Sequence, residues 1–252
     1  MTATHQDAAA WLPDAALAPS SGPLLLCLPY AGGGARIFHR WSSLIPGVQV
    51  APVWLPGRER RIGEPAYDTM DDLVPALAAA IEPVLGRPYA LFGHSMGAIV
   101  AFELARHLRR LGWPGPLGLL ASASRAPHRR SPSPPIPDVA EFLRRLRSLG
   151  GMPADAWANP ELLRLMLPVL RADFQLIDGY TYRREPPLRC PIAALAGRED
   201  PEATAAEMTC WRAQTTAFTL RTLPGGHFNI TEEQAAVVQA VAEVLSGLDA
   251  RP

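Results

Sequence analysis

Six short apolar runs set apart by helix-like stretches constrain this chain more than any other feature. They are LLLCL at 24–28, VQVAPVW at 48–54, YALFG at 89–93, LGLLAS at 117–122, IAALA at 192–196 and AFTLRTL at 217–223. Most are apolar at successive positions instead of alternating, which suits strands covered by helices on both faces. Helical patterns lie at about 70–85, 96–111, 203–213 and 232–246, the second stopping at Gly112 with Pro114 behind it. Strand and helix in alternation predict an α/β fold with a doubly wound, mostly parallel sheet. A chain of 252 residues can bury a sizeable core unaided. Residues 24–252 are therefore expected to form one domain. Residues 1–23, rich in Ala, Pro and Ser with only Trp11 and Leu12 as anchors, read as a loosely held lead-in.

The alternation breaks once. RAPHRRSPSPPIP, residues 125–137, carries prolines that fit neither a helix interior nor a central strand, so it reads as a linker. Beyond it, 138–150 and 160–177 look helical, with Leu143, Leu146 and Leu149 spaced for one face and Asp138 and Asn159 placed to cap. Two helices inserted between strands predict a lid, at about 131–185, over the C-terminal edge of the sheet.

Gly93-His94-Ser95-Met96-Gly97 matches G-x-S-x-G, preceded by YALF and followed by the apolar helix AIVAFELA. Strand, sharp glycine-flanked turn and helix are the context in which a serine hydroxyl is held exposed as a nucleophile. Such a serine needs a base. Of six histidines, His5 lies in the lead-in, His128 in the linker, His107 far along the helix and His39 on an early one; His94 adjoins the serine but should point elsewhere. His227 follows the last strand in Leu-Pro-Gly-Gly-His-Phe, where the glycines let a loop reach back to Ser95.

A base of this kind needs an acid, which in chain order falls between serine and histidine. No carboxylate follows the 117–122 strand until Asp138, and Asp173 and Asp178 lie in the lid. Asp200, on the turn after 192–196, is preferred over its neighbours Glu199 and Glu202 because a short carboxylate on a proline-ended turn is better fixed. An oxyanion would be met by the amide of Met96 and by one from the loop Pro29-Tyr30-Ala31-Gly32-Gly33-Gly34. That loop does not fit G-x-G-x-x-G, and no lysine follows it.

Composition removes other classes. The 24 basic residues are all arginine and balance 24 acidic ones, so Schiff-base and phosphate-loop lysine chemistry are absent and nucleic acid is not the expected partner. Cys27, Cys190 and Cys210 offer neither a disulfide framework nor a metal knuckle. No metal or cofactor is expected. Without a basic-apolar leader or an apolar run of ~20 residues, the chain is expected in the cytoplasm, off the membrane, as a monomer.

CLPYAGGG at 27–34, WLPGRER at 54–60, LFGHSMGA at 91–98, LRADF at 170–174, GRED at 197–200 and PGGHFNI at 224–230 together resemble a type II thioesterase. These are discrete α/β-hydrolase enzymes that accompany polyketide synthases and nonribosomal peptide synthetases. The likeness runs from about Leu24 to Leu245. It implies hydrolysis of aberrant acyl thioesters from the phosphopantetheine arm of acyl or peptidyl carrier proteins. It also implies Ser95, Asp200 and His227 as nucleophile, acid and base, oxyanion amides on Ala31 and Met96, and a mobile lid. Tyr30 departs from the family's usual histidine, which bears on acyl preference. The same three residues would serve a carboxylesterase or lipase, and a non-catalytic binding protein on this fold is a third reading. Phe142, Leu143, Leu162, Leu163, Leu165, Met166 and Phe174 are candidates for an acyl chamber or merely for packing the lid. Arg58, Arg60 and Arg61 could attract an acidic carrier, although a solvated charged loop is the commoner meaning of such a cluster.

Overall fold

The computed structural model describes residues 5–18, 22–134, 136–150 and 157–249. Six strands, β1 (Leu24–Leu28), β2 (Gln49–Pro52), β3 (Tyr89–His94), β4 (Leu119–Ser122), β5 (Ile192–Gly197) and β6 (Phe218–Leu223), pair in the order β2-β1-β3-β4-β5-β6. Every pairing is parallel. All six expected strands form, each within a few residues of its apolar run.

The continuous apolar runs are explained by where alternate side chains go. Leu24, Leu26 and Leu28 enter one core, against α4 (Met70–Ile81) and α5 (Met96–Arg110). Leu25 and Cys27 enter a second core on the opposite face, with α3 (Trp41–Leu44) and α9 (Gln234–Asp249). A strand buried on both faces has no side left to be polar. Met70–Ile81 is shorter than its pattern because the chain tightens into a 3₁₀ turn at Glu82–Val84. The 203–213 pattern likewise divides into α8 (Ala205–Thr209) and a 3₁₀ turn at Cys210–Gln214.

The N-terminal lead-in differs from expectation. Residues His5–Trp11 and Asp14–Leu17 form α1 and α2, and Ala8, Trp11, Leu12 and Ala16 are buried in the first core. Apolar residues spaced by three or four place one helical stripe inward, which the Ala and Pro content masks. Residues 1–4 and 19–21 of the expected lead-in lie outside the described residues.

Between β4 and β5 stand α6 (Val139–Leu149) and α7 (Pro160–Asp178), capped by the side chains of Asp138 and Asn159 as anticipated. Phe142, Leu146 and Leu170 form their own small cluster. The linker before them is packed at its start: Ala126 and Pro127 are buried. Residues 151–156 and 135 of the expected lid lie outside the described residues. Among the described residues no helix is long and apolar enough to cross a membrane. Strand order reverses at β1, so the loops at the C-terminal ends of β1 and β3 border one crevice, where open parallel sheets place ligands.

Candidate active site

Ser95 sits at the tip of the β3–α5 turn at φ 53°, ψ −114°, a strained conformation for a residue with a side chain. The flanking glycines are required by close approach. A Cβ on Gly93 would lie 2.1 Å from the Gly97 oxygen, and one on Gly97 2.3 Å from the Leu28 oxygen. The Ser95 amide donates to the Ser122 carbonyl of β4 at 2.8 Å, which anchors the turn to its neighbour.

His227, on the loop after β6, brings Nε2 to 3.0 Å from Ser95 Oγ and Nδ1 to 2.9 Å from Asp200 Oδ2. The other Asp200 oxygen accepts the amides of Glu202 at 2.8 Å and Ala203 at 3.1 Å. Burial alone would raise the Asp200 carboxyl. The hydrogen bond and charge of His227 and the two amides outweigh it and hold the carboxyl below its ordinary range. An ionised Asp200 accepts a hydrogen bond from Nδ1–H and so keeps the proton on that nitrogen, leaving the Nε2 lone pair to face the serine hydroxyl. Glu199 and Glu202 are exposed.

His94, set aside in the sequence, does point away from Ser95, but it is not idle. Its Nε2–H donates to the His227 carbonyl at 2.7 Å, and Nδ1 accepts from the Ser122 hydroxyl at 3.0 Å. Complete burial and the neighbouring His227 push its pKa down to about 3, so the ring is neutral. It fixes the backbone of the loop that carries His227. Adjacency to Ser95 was the one signal in the sequence, and it does not reveal a bond to a residue far along the chain.

The amides of Ala31 and Met96 border the same cavity as Ser95, and among the described residues neither is taken by another group. The Ala31 loop is tied down next door. Gly32, at φ +78°, donates its amide to Asp173 Oδ2 at 2.7 Å. Arg58 grips Asp173 with both prongs, 2.7 Å each, and reaches the Gly33 carbonyl at 3.1 Å. Glu59 accepts the amides of Ala35 and Arg36 at 2.9 Å each. A Cβ on Gly34 would lie 2.3 Å from that carboxylate.

Two members of the arginine cluster differ from both sequence readings: Arg58 and Arg61 are buried and hold loops together, Arg61 bonding Glu64 and the Trp54 carbonyl. Arg60 is exposed, as a solvated charged loop would have it, and lies over the Trp54 ring. Tyr30 packs edge-on against His94 and Phe228, and burial raises its phenol.

Ser95, Met96 and His227 floor a cavity of about 490 Å³ roofed by Leu146, Leu149, Met166, Leu170 and Phe174 of the two inserted helices. Of the apolar side chains considered for a chamber, Met166 and Phe174 line it and Phe142 packs behind them. Leu162 and Leu165 are 38% and 60% exposed, and Leu143 and Leu163 do not line the cavity. Among the described residues no group of three or more His, Cys, Asp or Glu converges as a metal site. The three cysteines are free thiols.

The thioesterase domain family matches residues 23–246. The chain belongs to the thioesterase family. This thioesterase is 41% identical over 253 residues to the linear gramicidin dehydrogenase LgrE of Brevibacillus parabrevis, covering 97% of this chain and 96% of that protein. It is 38% identical to the thioesterase PikA5 of Streptomyces venezuelae, over 95% of this chain and 86% of that one. BorB, the type II thioesterase from the borrelidin biosynthetic cluster, is similar in structure with a TM-score of 0.82 at 37% identity, over 96% of this chain and 98% of that one. The word dehydrogenase belongs to LgrE; the β1 loop of this thioesterase lacks the dinucleotide spacing G-x-G-x-x-G.

Proposed function

We propose that this thioesterase hydrolyses acyl thioesters from the phosphopantetheine arm of acyl or peptidyl carrier proteins, removing aberrant acyl groups in polyketide or nonribosomal peptide biosynthesis. The observation that carries the reading is the unbroken relay from Ser95 through His227 to Asp200, opening into a cavity roofed by apolar side chains of the two inserted helices and walled elsewhere by polar and charged ones. Such a cavity suits an acyl chain brought in on a long arm. The similarity to PikA5 and BorB supports the biosynthetic setting.

In this reading Ser95 Oγ attacks the thioester carbonyl while His227 Nε2 takes its proton. Asp200 stabilises the imidazolium, and the amides of Ala31 and Met96 receive the developing oxyanion. The C–S bond breaks, and the arm's thiolate leaves as a thiol with the proton from His227. Water then attacks the acyl-Ser95 ester with His227 again as base, releasing the carboxylic acid and restoring the serine. The only prosthetic group involved belongs to the carrier; the enzyme itself acts as a cytoplasmic monomer without cofactor.

The test is hydrolysis of acyl-pantetheine and acyl-carrier thioesters against the matching oxygen ester. The thioesters should turn over faster, and Ser95→Ala should lower kcat by at least about 10³-fold while the fold melts normally. Undiminished turnover in that variant sinks the assignment. Faster cleavage of the oxygen ester would mark a carboxylesterase instead.

A further inference from the structure

Charged side chains on the cavity wall are not all satisfied. Arg145 holds Asp178 through two contacts of 2.5 and 2.9 Å. Arg125 is held by Glu207 at 2.9 Å and by the Glu202 carbonyl at 2.8 Å. Arg129 and Glu202 are exposed to solvent. Arg130 is half-buried and has no such partner: its Nε is shut off from solvent without a hydrogen-bond partner, and it forms no ion pair among the described residues. Asp178 acts on it only through space, and burial outweighs that attraction, drawing the guanidinium below its ordinary pKa.

Withdrawing a guanidinium from water without a counter-charge is unfavourable, and buried charges in folded proteins are as a rule paired. Arg130 lines the cavity that Ser95 floors, beside Ser131 and Ser133, so the open side of its fork is reachable by whatever enters there. A planar fork of five donors matches carboxylate or phosphate oxygens. An uncharged guest would leave it as it is.

We propose that Arg130 is the anion-binding subsite of this pocket, receiving an oxyanion carried by the substrate itself. Two parts of an arm-bound acyl thioester can bring that chemistry: the phosphate of the arm and a carboxylate on the acyl group. The proposal rests on the thioesterase reading above and adds the charge that the pocket selects.

The experiment measures kcat/KM of wild type and Arg130→Gln on acetyl-pantetheine, acetyl-phosphopantetheine and malonyl-pantetheine, which carry no anion, a phosphate and a carboxylate respectively. Losing charge-assisted hydrogen bonds should lower kcat/KM about 10- to 100-fold on an anionic thioester and change acetyl-pantetheine by less than about twofold. Loss confined to acetyl-phosphopantetheine assigns the arm as the source; loss confined to malonyl-pantetheine assigns the acyl group. If the glutamine variant does not fold, Arg130→Lys, which keeps the charge without the fork, should lose several-fold on the same anionic thioester alone. Equal loss on all three substrates, or on none, overturns the subsite. Failure of wild type to turn over any of the three overturns the thioesterase reading, and the subsite with it.

Discussion

Asp200→Asn keeps the shape beside His227 and removes the charge, so Nδ1 no longer has a carboxylate to fix its tautomer. Loss of a comparable carboxylate has lowered kcat about 10⁴-fold in a serine protease, and a drop of that order with KM little changed is expected here, read from steady-state kinetics. His94 makes a separate prediction about stability. Its folded pKa of about 3 lies below the unfolded value of 6.5, so the unfolded chain binds the extra proton between those limits. Stability is therefore complete above pH 6.5 and falls as the solution is acidified toward pH 3, by about 1.4 kcal/mol per unit inside that window. His107 and His128 are also shifted down and tilt the slope the same way. Urea unfolding of wild type and His94→Gln between pH 6 and 4.5 should show the shallower slope in the variant; identical slopes would refute a neutral, buried His94. Ser95, Asp200 and His227 can be picked out of the sequence because each lies just past a strand end, where glycine or proline marks the turn. His94 was not legible as a strut, since its partner is a backbone carbonyl 133 positions on, and backbone carbonyls have no sequence signature.

At the scale of elements, three distant segments interlock: the glycine loop after β1, the turn at 57–61 and helix α7. Asp173, 2% exposed, accepts from Gly32 in the first and from Arg58 in the second. Asp173→Asn would leave Arg58 buried without a counter-charge, a change that typically costs about 3–5 kcal/mol. Chemical denaturation should report that loss, and kcat should fall in the surviving folded fraction because Gly32 adjoins Ala31. Full stability in the variant would mean that Arg58 finds water instead. Strands and lid helices were predictable from periodicity, caps and prolines. This lock was not, and Arg58 read more readily as a surface charge, because nothing periodic links residues 32, 58 and 173.

For the molecule as a whole, the unexpected contribution is the N-terminus. Trp11 is 7% exposed, stacks on Tyr67 at 6.1 Å and carries Arg61 over its ring at 4.4 Å. Trp11→Ala should cost about 3–5 kcal/mol. In a chain of this size that lowers Tm by on the order of 10 °C, measurable by differential scanning calorimetry. An unchanged Tm would return the segment to the status of a loose leader. Alanine and proline content argued for looseness, whereas four apolar side chains at helical spacing suffice to seal one end of a core. A different lesson attaches to Asp173, which belongs to the insertion yet steadies a loop of the parent sheet. Anyone exchanging the helical cover for that of a relative, to alter which acyl groups fit, would have to import an acid at the matching place. Otherwise the graft would change the guest's room and loosen the glycine loop beside Ser95 in a single stroke.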